Sequence, residues 1–82
     1  MQITNTTDYA LRIMDYLSEK GNLATEAELA DNLKIPIRNI SKIMNILKNN
    51  NLINSEMGFN GGYSLAKNPE GISYFDVISA TE

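Results

Sequence analysis

Between Pro36 and Asn49 the sequence sets Arg38, Asn39, Ser41, Lys42, Asn45, Lys48 and Asn49 against Ile40, Ile43, Met44 and Leu47 at helical spacing. Arginine and lysine donate to guanine edges, asparagine pairs with adenine, and serine or lysine holds phosphate oxygens. A helix with this polar face therefore has the chemistry of duplex DNA readout. The polar face contains no acid. The competing reading is a plain solvated face, and the elements around the helix decide between the two. A second candidate lies at Gly58-Phe59-Asn60-Gly61-Gly62. One glycine of that run is explained by any tight hairpin turn. The full run also suits a loop laid along phosphates, with Phe59 and Asn60 at its tip. The remaining aromatic residues sit at helical or strand positions and read as core.

The net charge is -3, yet it is unevenly spread. Residues 34–67 hold Lys34, Arg38, Lys42, Lys48 and Lys67 against Glu56 alone, whereas the remainder carries two cations and nine acids. Such asymmetry concentrates positive potential around the polar helix. Lys34, Arg38 and Lys42 are spaced by four, so a helix reaching back to Lys34 would align them on one flank. The chain has no cysteine and no histidine. That excludes disulfides, thiolate metal sites and imidazole acid–base chemistry. Asp8, Asp15 and Glu19 fall on an ordinary helix surface without a nucleophile or phosphate cradle, so no catalytic site and no metal site is expected. No apolar run approaches the roughly 20 residues that span a bilayer, and the first residues lack a signal peptide's regions. The expected location is cytoplasmic, with no membrane partner.

The elements that would carry these residues can be read in order. With 82 residues, one domain over 1–82 is expected, burying roughly 60 to 65% of its unfolded surface. From Thr7, the positions Ala10, Ile13, Met14 and Leu17 mark a helix with one buried face, flanked by Tyr9 and Tyr16 and closed by Lys20 and Gly21. Thr25 followed by Glu28 has capping-box spacing, opening a short helix over about 26–33. Pro36 suits the first turn of a third helix. After Asn49-Asn50-Asn51, the segments Leu52 to Glu56 and Tyr63 to Ala66 read as a hairpin. Ser73 with Asp76 opens a last helix through Ala80, with Phe75, Val77 and Ile78 on its apolar side. The fold expected is mainly α with a small β-hairpin: a winged helix-turn-helix with a three-helix core, a two-stranded wing and a short C-terminal helix.

Ile3-Thr4, Asp8-Tyr9-Ala10-Leu11, Leu29-Ala30, Ile35-Pro36, Leu47-Lys48, Asn50 to Ile53, Gly58 to Tyr63, Leu65-Ala66, Ile72-Ser73 and Asp76-Val77-Ile78 together resemble the Rrf2 family of winged-helix regulators. That family includes iron-sulfur cluster, nitric-oxide-sensing and cysteine-metabolism regulators. The resemblance runs the whole chain. It implies a sequence-specific DNA-binding regulator, a repressor, acting as a homodimer on a palindromic operator. The third helix would enter the major groove and the wing would reach the minor groove. By position, Arg38, Asn39, Ser41 and Lys42 would face bases or nearby phosphates, with Asn45 and Lys48 further along the same face, while Thr4, Tyr9 and Thr25 would touch the backbone. Many relatives carry a basic residue where this chain has Met57. Relatives also continue into a long dimerisation helix and, in the sensors, a loop with three cysteine ligands. Residues 1–82 contain neither, either as a fragment or as an abbreviated member, so weak self-association and no cofactor in this chain are expected. The rival function is a winged helix used for protein contacts without DNA.

Overall fold

The computed structural model describes residues 5–58, 61–67 and 71–82. Helix α1 spans Asn5–Lys20, α2 Glu26–Leu33 and α3 Ile37–Asn49; strands β1 (Ile53–Glu56) and β2 (Gly62–Leu65) follow, and α4 covers Tyr74–Thr81. In α1 the residues Thr7, Ala10, Ile13, Met14 and Leu17 are buried. Gly21, at φ +68, ends it and donates its N–H to the Leu17 carbonyl. Thr25 caps α2 by accepting from the Glu28 N–H at 3.1 Å. The Glu28 carboxylate also accepts from Tyr16 and Lys20 through its Oε2, beside a smaller contribution from the Thr25 backbone.

The turn between α2 and α3 differs from expectation. Lys34 adopts the left-handed conformation at φ 58 and closes α2, with its N–H on the Ala30 carbonyl. It therefore does not extend α3, and the alignment of Lys34 with Arg38 and Lys42 along one helix flank does not form. Pro36 is the N-cap of α3 and precedes its first turn. At the far end Asn51, at φ 61, takes the position usually given to glycine. The Leu52 N–H bonds Leu47 O and the Asn51 N–H bonds Lys48 O, closing a Schellman turn. That turn sends the chain directly into β1.

The hairpin pairs Ile53 with Leu65 and Glu56 with Gly62 in antiparallel register. A third segment joins it: Ala24 and Tyr63 exchange both main-chain hydrogen bonds, at 2.9 and 2.8 Å. This bridge explains Gly62, and the hairpin turn itself explains Gly61. A Cβ on Gly61 would stand 2.2 Å from Glu56 O, and one on Gly62 would stand 2.8 Å from Ala24 O. Ser73 and Asp76 form the capping box of α4. Only Val77 of that helix is buried. Phe75, expected on the apolar side, is 74% exposed, because it falls on the flank of α4 turned away from α1.

The buried residues of α1, α2, α3, β1 and α4 form one cluster centred on Ile13, Leu29, Ile40, Ile43, Met44 and Leu47. Each such side chain contributes about 1.5–3 kcal/mol by leaving water. The arrangement is a winged helix.

Candidate nucleic-acid interface

Helix α3 is clamped from one side and free on the other. Ile40, Ile43, Met44 and Leu47 are at most 1% exposed, so the axial rotation of the helix is fixed. Arg38, Lys42, Asn45, Lys48 and Asn49 are exposed on the opposite face. A helix of about 12 Å diameter presents such a row to a groove of similar width. Helix α3 carries no acid in its first turn, and Lys48 lies in its last. The first-turn amides thus keep their positive end unneutralised, which favours a nearby phosphate.

On one flank α3 meets α1. Asn5, Thr6, Tyr9, Asn39, Lys42 and Ile43 line a small cleft there, which brings the half-buried Tyr9 and Asn39 beside the exposed Lys42. On the other flank α3 meets the start of α2. Ser41 is exposed, but its hydroxyl donates to Glu26 Oε1, so it is not a free donor of the kind the sequence suggests. Glu26 Oε2 accepts from the Tyr63 hydroxyl at 2.6 Å. That hydrogen bond, helped by burial and the carboxylate charge, pushes the Tyr63 phenol up to about 12. Thr25 is exposed at the same helix start, with its hydroxyl engaged by the Glu28 amide.

Glu28 itself faces α1. Lys20 Nζ and the Tyr16 hydroxyl both donate to its Oε2, and they hold the carboxyl below its ordinary value, Lys20 more strongly. Asp8 is paired with Arg12 at 3.1 Å, one turn along α1. These acids thus have partners within the fold, while α3 itself adds no acid to its polar face; Glu26 of α2 is the carboxylate that reaches that face, at Ser41.

The structure brings Tyr9, Asn39 and Lys42 together and sets Arg38, Asn45 and Lys48 on the outer face of the same helix. It leaves Ser41 and Thr25 at the flank where α2 begins. Thr4, Phe59 and Asn60 lie outside the described residues. Met57, in the turn after β1, is 96% exposed. Glu26, Tyr63 and Ala24 were not singled out by sequence reasoning. The partners of Glu26 are 15 and 37 residues away. Among the described residues no three His, Cys, Asp or Glu side chains gather as a metal-binding group. No described helix is long and apolar enough to cross a membrane.

Comparison with known proteins gives a consistent picture. A profile of the Rrf2 family, described as an iron-dependent transcriptional regulator, matches residues 3–82. The HTH-type transcriptional regulator NsrR of Shouchella clausii is 38% identical over an alignment that covers all of this chain and 56% of that protein. The structure of CymR, the global cysteine regulator of B. subtilis, superposes with a TM-score of 0.96 at 26% identity, covering the whole chain and 65% of CymR. The oxidised form of Staphylococcus aureus CymR gives 0.91 at 28% identity, with the whole chain and 68% of that protein covered. The chain thus spans little more than half the length of the curated relative it matches. Residues 1–82 contain neither cysteine nor histidine, so they offer no thiolate or imidazole to the iron in the family's description.

Proposed function

Because the chain belongs to the Rrf2 family of transcriptional regulators, we propose that it binds double-stranded DNA sequence-specifically and represses transcription from the site it occupies. The observation that carries this reading is the acid-free outer face of α3, held at a fixed rotation by four buried side chains. In this reading α3 enters the major groove. Arg38, near its start, reads a guanine edge, and Asn45 or Asn39 reads adenine. Lys42 and Lys48 neutralise phosphates on either side. Tyr9 and Thr25 approach the backbone at the two flanks, as Thr4 would from the segment before α1. The wing lies along the adjacent backbone or minor groove. Met57, in place of a basic residue, offers that groove no cation.

A dimer on a palindromic operator is part of the same proposal, made for the whole protein. An iron-sulfur cluster has no place in the reading of residues 1–82, whose side chains supply no thiolate or imidazole ligand. Selection of bound sequences from a random duplex pool, followed by salt titration on the selected site, tests the proposal. Recovery of a defined site whose affinity falls steeply with salt is the expected result. A pool that never enriches would overturn it and favour a winged helix serving protein contacts.

A further inference from the structure

Glu26 links three elements through its two carboxylate oxygens. Oε1 accepts from Ser41 on α3, and Oε2 accepts from Tyr63 on β2. The residue is half-buried at the first position of α2. Two residues earlier, Ala24 holds the main chain of Tyr63 in both directions. Meanwhile β1 leaves α3 through the tight Asn51 turn and pairs with β2. The path from Ser41 along α3, through the hairpin to Tyr63, and back through Glu26 is a closed circuit. Without the Glu26 link, one side of the hairpin is held by the Ala24 bridge, and among the described residues no other polar contact ties that bridge to the outer part of α3.

The geometry points to Glu26 as a positioning residue that locks the wing to α3 at one angle, so that both meet the duplex together. The inference rests on the DNA-binding reading above and adds a residue that acts through Ser41 and Tyr63. A carboxylate suits the task because it offers two strong acceptors on one planar group, and hydrogen bonds to it are stronger than neutral ones. An acid beside a DNA-binding face also repels phosphate. Its retention here is accounted for by what it holds. Glutamine separates the two effects: its carbonyl accepts from one hydroxyl, its amide donates to the other hydroxyl's oxygen, and the charge is gone. Alanine removes both links.

The test compares the protein with Glu26→Ala, Glu26→Gln, Ser41→Ala and Tyr63→Phe variants in two measurements. One is amide hydrogen exchange. The other is the ratio of affinities for the selected duplex and for random duplex at one salt concentration. In Glu26→Ala, exchange at Ala24 and Tyr63 should quicken roughly tenfold while Ile43 and Met44 stay protected, and the affinity ratio should fall by roughly the same factor. Glu26→Gln should restore both. Ser41→Ala and Tyr63→Phe, which keep the carboxylate, should each give part of the effect, and they decide the matter if Glu26→Ala does not fold. Unchanged exchange and an unchanged ratio overturn the inference. So does acceleration at every amide, which would mean a general stabilising role, or a glutamine variant no better than alanine, which would assign the effect to charge. Wild-type protein without sequence preference would sink the DNA reading alone, and the exchange data would still decide whether Glu26 locks the wing.

Discussion

Thr7 and Thr81, 74 positions apart, join their hydroxyls at 2.8 Å and tie the first helix to the last. Thr81 Oγ1 also lies within hydrogen-bond distance of the Val77 carbonyl, at 2.9 Å. Thr7 is a polar side chain buried in the core, at 0% exposure. Thr7→Val keeps the shape and deletes the hydroxyl. It should cost about 1 kcal/mol, the net worth of one hydrogen bond. A double-mutant cycle with Thr81→Val isolates the shared bond, and denaturant midpoints that shift additively would contradict it.

On α3, position should separate specificity from affinity. Arg38→Ala removes an exposed side chain from the first turn, and in the proposed complex it should cost about 1–3 kcal/mol on the selected site and relax base preference there. Lys48→Ala should weaken all sequences alike and lower the salt slope by about one. Ile43→Ala, in the core, should destabilise the fold by about 2–5 kcal/mol before any binding is measured. If Arg38→Ala leaves both affinity and preference intact in folded protein, α3 is not the reading helix.

Gly62→Ala tests the third segment of the wing. Its Cβ would press on the Ala24 carbonyl, a backbone atom that cannot swing aside. Forcing it in should cost about 1–3 kcal/mol, in the manner of overpacking, and should break the Ala24–Tyr63 bridge first. Amide exchange at Ala24 reports this directly. Protection equal to wild type would show that the bridge tolerates a side chain.

Stability should fall at both ends of the pH scale, for different residues. Glu28 is held below its ordinary value by Lys20 and then Tyr16, so its contribution is present at neutral pH and is lost as pH falls through the folded-state value. Tyr63 is raised to about 12, chiefly by its bond to Glu26. Its contribution is complete below the ordinary phenol value of about 10 and is lost as pH rises through the folded value. Glu28→Gln should flatten the acid limb of a stability profile and Tyr63→Phe the alkaline limb. A wild-type profile with neither limb altered by these changes would contradict the assignment.

Much of this arrangement is legible in the residues. The stripe Ile40, Ile43, Met44 and Leu47 announces both the helix and its buried face, because helical periodicity records which side meets the core. Thr25 and Ser73 announce the starts of α2 and α4 through local hydrogen bonding. Lys34 shows where such reading stops. Lysine has no preference for the left-handed conformation, and nothing in the local sequence announces that Lys34 closes α2 at φ 58. Phe75 misleads in a related way, since an apolar side chain on a short helix does not say which flank is covered. The Ala24–Tyr63 bridge is a single pair of bonds and leaves no periodic trace. Of the interface, the outer face of α3 is readable from composition. The Glu26 links depend on contacts between distant segments and surface only in three dimensions.

To an oxidant, the described methionines are unequal targets. Met14 and Met44 sit in the core at 7% and 0% exposure, whereas Met57 stands 96% open on the turn after β1. Thioether oxidation turns an apolar, flexible side chain into a polar one and follows accessibility. With no thiol in the sequence to compete, mild peroxide would mark the wing first and leave the packing beneath α3 untouched, a chemical handle placed by exposure alone.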